Sequence, residues 1–137
     1  MPNHIFSPIK AGAAYFVVVF ALGFVLGAVR VLWLAPMIGE TAAVVAEQPV
    51  MLTASWFVAR WLVRRYDFAS ASERLIMGAC AFAMLMMAEM LLAVSLFGQT
   101  PGQWLDGVVT MPGPIGLAGQ MMFGQMPLVV SRNRLRR

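Results

Sequence analysis

One cysteine and one histidine are all that this chain of 137 residues holds of the two commonest zinc-binding side chains. Cys80 alone excludes an internal disulfide and any Cys-x-x-Cys redox or zinc site within one chain. His4 stands ahead of the first apolar stretch, and haem, non-haem iron and zinc ordinarily need several His, Cys or carboxylate ligands. Neither a metal nor a cofactor is expected. Charge is scarce as well: 12% of the residues are charged and 61% are hydrophobic, with a mean hydropathy of +0.78. A soluble domain carries about twice that charge. No Ser-His-Asp, Cys-His or His-Glu-x-x-His arrangement occurs, and no Gly-rich phosphate loop follows a strand. Enzymatic function is not expected, and a carboxylate-dependent lipid enzyme is the one option of that kind the residues leave.

What the chain does have is long apolar runs. Between Ala11 and Val29 no residue is charged, and Arg30 then appears within the same stretch. A run of about 18 apolar residues reads as a membrane-spanning helix. The fold class expected is all-α: a polytopic membrane protein built as a four-transmembrane-helix bundle, with residues 1–137 forming a single integral membrane domain. Spans fall at about 11–34, 43–63, 75–97 and 107–130. The first is too long for the apolar core of a cleaved signal peptide and is read as retained. The second is uncharged only from Gln48 to Ala59, or about 18 Å of helix, so it must extend past Glu47, Arg60 or both. Pro49 near its start is tolerated in a first turn or kinks the helix. The third is interrupted only by Glu89. The fourth holds Pro112, Gly113, Pro114, Gly116, Gly119, Gly124 and Pro127, a composition that predicts a break or kink.

The net charge of +4 does not point to nucleic acid, because the basic residues flank the spans. Lys10, the Arg60–Arg74 segment and the Arg132–Arg137 tail share one side of a four-span arrangement, whereas Pro36–Ala42 and Gly98–Asp106 contain no Lys or Arg. The positive-inside rule then places the protein in the plasma (inner) membrane with both termini cytoplasmic. The basic clusters suit anionic lipid head groups as partners. Trp33, Trp61 and Trp104 fall near span ends, as an aromatic belt requires.

An ionisable residue at membrane depth marks a functional site by default. Arg30 lies three residues past Gly27 and seven past Gly23, so all three share one face, and a Gly-x-x-x-Gly pair lets helix backbones approach closely. Gly78, Ala81, Leu85 and Glu89 share a face of the third span; Gly116, Gln120 and Gly124 share one on the fourth. Helical rise puts Arg30, Glu47 and Glu89 at similar depth in the outer third of the bilayer, with Glu40 two turns above Glu47. Arg30, Glu47, Glu89 and Gln120 are the candidate ligand-binding residues, with Arg30 expected to pair with Glu89 or Glu47. Gly23, Gly27, Gly78 and Gly116 are the candidate packing residues. Met84, Met87 and Met90 form a stripe that resembles a Cu(I) path only superficially, since Cys and His partners are missing and methionine is common apolar filler. These features suggest solute or ion transport, or a channel-like function, through an oligomer. The competing reading is a non-catalytic accessory or assembly subunit of a larger membrane complex, whose polar face docks a partner.

Overall fold

The computed structural model describes residues 6–134, with side chains for residues 7–130. His4 and the arginine side chains from Arg132 onward lie outside that range. All regular structure among the described residues is helical. Helix α1 (Phe6–Val29) passes through one π-helical turn (Arg30–Leu34) into the short α2 (Ala35–Ile38), giving a continuous rod over Ser7–Ile38. Pro36 supplies a reason for the wide turn: its ring would meet a carbonyl of a regular α-helix, and widening the preceding turn relieves that clash.

Gly39 then reverses the chain with φ of 90°, a conformation that side-chain-bearing residues rarely adopt. Helix α3 (Glu40–Tyr66) starts at the next residue, so the expected outer loop Pro36–Ala42 contracts to a single turn residue. Pro49 accordingly sits in the interior of α3 rather than in its first turn. Asp67 ends α3 in the left-handed region, and Phe68 N–H reaches back to the Val63 carbonyl at 3.1 Å, with its ring buried. That pattern closes a helix by satisfying its last carbonyls. Arg74 is also buried there, donating from one guanidinium nitrogen to the Phe68 and Ala69 carbonyls at 2.9 Å each. Arg74 therefore ties the turn rather than facing lipid head groups with the rest of the Arg60–Arg74 cluster, while Arg64 and Arg65 remain exposed.

Helix α4 (Ala71–Phe97) opens with a reciprocal cap between Ser70 and Glu73, and α5 (Pro101–Val109) with the same device between Thr100 and Gln103. Helix α6 (Gly113–Arg134) begins just past Pro112. The Pro/Gly cluster thus breaks the chain outright. The segment expected as one interrupted span over 107–130 divides, with residues 107–109 closing α5 and the long helix starting at Gly113.

Three helices are long and apolar enough to cross a membrane: Ser7–Ile38, Glu40–Tyr66 and Ala71–Phe97. Helix α6 is not among them, because Gly, Pro and Gln dilute its apolar character. The four long helices still enclose one core. Helix α1 packs on α3 and α4, and α6 packs on the same two, so α1 faces α6 across the centre. Large apolar side chains such as Val17, Val25, Phe57 and Leu91 point outward, a surface suited to lipid rather than water.

The two halves of the bundle differ. Toward the Phe68 turn, Tyr15, Leu62, Met77, Phe123 and Met126 form a closed core. Within it the Tyr15 hydroxyl donates to the Phe123 carbonyl at 2.7 Å, and the two rings stack with centroids 4.2 Å apart. Pro127 explains this bond. A proline has no N–H for the carbonyl four residues back, which here is Phe123, and Tyr15 takes the missing donor's place. Tyr15→Phe keeps the stacked ring and removes the hydroxyl, which also lies beside that of Ser55. It is expected to lower stability by about 1–3 kcal/mol, measured as a fall in thermal midpoint in detergent; an unchanged midpoint would show that water or another group serves the carbonyl.

Candidate functional site

The other half of the bundle, toward Gly39, is open. Each long helix carries a polar residue seven or eight positions from its end there: Arg30 before Ile38, Glu47 (with Gln48 beside it) after Glu40, Glu89 before Phe97 and Gln120 after Gly113. At 1.5 Å per residue all four stand about 11–12 Å below that end. Because α1 and α4 run toward it while α3 and α6 run away, equal offsets become equal depths. All four residues line one cavity of about 530 Å³.

Two pairs form across it. Arg30 Nη1 lies 3.1 Å from Glu47 Oε2, and Gln120 Nε2 donates to Glu89 Oε1 at 2.5 Å. Of the two partners expected for Arg30, Glu47 is the one in contact; Glu89 is held by the amide of α6. The Arg30 side chain is 31% exposed and that of Glu47 only 12%, so the carboxylate is the deeper member. Glu47 Oε2 is buried and makes no directed hydrogen bond, so the ion pair is one of proximity and leaves acceptor capacity unused. Glu40 is exposed at the start of α3, outside the cavity lining, where its charge complements the helix N-terminus.

Gln48 is a site residue that sequence reading missed. Its carboxamide lies against the backbone of α6 where a Cβ on Gly119 would stand. The cavity also includes Ser55, whose hydroxyl donates to the Met51 carbonyl of its own helix at 2.7 Å and lies beside the Tyr15 hydroxyl. The π turn is a second omission: it begins at Arg30 itself. Pro36 was the only sequence signal for it. Such turns are frequent at functional sites.

The glycines separate into two groups. A Cβ on Gly78 would coincide with the Gly124 carbonyl, so α4 and α6 touch backbone to backbone there. Gly23 faces only the flexible end of Met51, at 3.1 Å. Gly27 and Gly116 correct the expectation of tight helix contact. A Cβ on Gly27 would meet nothing closer than its own Arg30 at 4.0 Å, and one on Gly116 nothing within 4 Å. Both line the cavity, and their missing side chains make its volume. Met84, Met87 and Met90 do not line it, and among the described residues no three His, Cys, Asp or Glu side chains group as metal ligands would.

Comparison with known protein families, curated proteins and solved structures finds no match to this chain. Fold and site together define an all-helical protein with three membrane-compatible helices, closed at one end and hollow at the other, with its polar groups gathered in the hollow.

Proposed function

We propose that the protein is a small multi-pass integral membrane protein with a solute- or ion-transport, or channel-like, function, and that Arg30, Glu47, Glu89 and Gln120 form its binding site. The observation that carries this reading is their convergence from four helices on one cavity. Buried charge at membrane depth is expensive, and a bundle needing only structural glue has no use for a surrounding void. Four crossings follow in this reading. Helix α6 has 22 residues, about 33 Å of length, and its Gln120 turns inward to Glu89 rather than toward lipid. The site then lies in the outer part of the inner membrane, with both termini cytoplasmic and Arg60, Arg64 and Arg65 near anionic head groups. A cysteine placed at exposed Thr41 is expected to react with an impermeant reagent from outside cells, and one at exposed Ser70 is not. Reaction at Ser70 alone would invert the topology.

The outward face of α6 favours an assembly. Met121, Met122 and Gln125 are exposed along it, and an amide is better satisfied against protein than against lipid. A homo-oligomer meets that need. So does the competing reading, an accessory subunit whose α6 docks a larger complex. Purification from native membranes tests both: a pure homo-oligomer whose melting shifts with added solute supports transport, whereas a second protein at fixed stoichiometry supports the accessory role.

A further inference from the structure

The charge balance of the cavity identifies what it suits. Three ionisable side chains line it: Arg30, Glu47 and Glu89. Arg30 and Glu47 neutralise one another at 3.1 Å. Glu89 takes its one hydrogen bond from an uncharged partner, Gln120, at Oε1, and Arg30 acts on it only from beyond contact distance while it holds Glu47. Two carboxylates thus share one guanidinium, and the lining is left one negative charge in excess. In surroundings of low polarity that charge needs a proton or a cation beside it.

We propose that the cavity binds a lipophilic monovalent cation, held at Glu89 and bordered by aromatic rings. The proposal rests on reading the cavity as a solute site. An anion is disfavoured because the one cationic group is already paired. A bare metal ion is disfavoured because a single carboxylate and an amide do not replace its hydration shell. An organic cation brings its own apolar surface, which matches walls made mainly of apolar residues. Phe20 and Phe123 are among them, with Phe24 and Phe97 at its exposed margin, and aromatic rings attract cations. The volume of about 530 Å³ lies within the range that accepts ligands of drug size. Glycine at Gly27 and Gly116 keeps that space open.

Equilibrium binding to the purified full-length protein in an uncharged detergent tests the proposal, with tetraphenylphosphonium as probe and tetraphenylborate as an anion of the same shape. Saturable binding of the cation is expected, with no competition from the borate. Glu89→Gln, at unchanged elution volume, is expected to weaken cation binding by at least about tenfold, the scale of one lost charge contact. Absence of saturable cation binding, equal binding of the borate, or full affinity in a well-folded Glu89→Gln protein would each overturn it. Should Glu89→Gln fail to fold, the comparison of the two ions on the wild-type protein decides alone. If the cation does not bind but the protein still carries protons or sodium into liposomes, this proposal falls and the transport reading stands. If neither occurs, both fall.

Discussion

Arg30→Gln is expected to destabilise the protein more than Arg30→Gln and Glu47→Gln made together. The single change strands a carboxylate whose side chain is only 12% exposed, with no cation in contact to replace the one removed. Breaking a buried ion pair from one side costs about 3–5 kcal/mol, and the partial exposure of Arg30 places the effect toward the lower end. Glu47→Gln in the same chain removes the stranded charge and recovers part of the loss. The coupling between the two sites is expected to exceed about 1 kcal/mol, as for other contacting charged residues. Thermal midpoints of the two single variants and the double variant, in one detergent, give the cycle. The same cycle between Arg30 and Glu89 is expected to show weaker coupling, because Gln120 rather than Arg30 contacts Glu89. Strict additivity between Arg30 and Glu47 would show that the two do not interact.

Gly78→Ala is expected to be the most damaging single-methyl addition among Gly23, Gly27, Gly78 and Gly116. A Cβ at that position falls on the Gly124 carbonyl, and backbone cannot swing aside as a side-chain terminus does. Helices α4 and α6 must separate, which opens the closed half of the bundle around Met77, Phe123 and Met126. Overpacking of this kind ordinarily costs about 1–3 kcal/mol and exceeds that when rigid elements must move. Loss of the monodisperse protein, or a large fall in its midpoint, is the expected result. Gly27→Ala is the comparison, because it adds the same methyl to open space and is expected to leave the midpoint nearly unchanged. Equal effects at the two positions would mean that α4 and α6 do not cross so closely.

These glycines also show how far the sequence could be read. Gly23, Gly27, Gly78 and Gly116 share one signature, a small residue on a helix face with a polar residue nearby. That signature has two physical outcomes. A missing side chain either lets another backbone in, as at Gly78, or leaves a void, as at Gly27 and Gly116. Which of them applies depends on where the neighbouring helix lies, and that is set by the whole bundle. The depth of Arg30, Glu47 and Glu89 was more legible, because helical rise is fixed, whereas that of Gln120 was hidden by a span expected to begin at 107 rather than at Gly113. The pairing within that layer was not legible. Several charges at one depth admit several partners, and Gln120 took the carboxylate that Arg30 was free to take.

Two further features were hidden for a related reason. Tyr15 read as one apolar-run residue among many, yet its hydroxyl answers a carbonyl that Pro127 leaves without a donor more than a hundred residues away. The proline announced that a carbonyl would be free, but not which helix would supply the hydrogen. The tight reversal at Gly39 was likewise concealed, because Pro36 and Gly39 together resemble an ordinary loop. Only the packing of α1 against α3 makes the two helices continue almost to the turn itself.

The central claim is that the polar cavity carries a solute across the bilayer through Glu89. Its most direct test is the flux of protons and monovalent cations, driven by a membrane potential, into liposomes that contain the purified protein alone. The wild-type protein is predicted to raise flux above that of empty liposomes, and Glu89→Gln, incorporated to the same level and equally folded, to return it to that baseline. Wild-type flux no greater than that of empty liposomes, or undiminished flux through Glu89→Gln, would contradict the account.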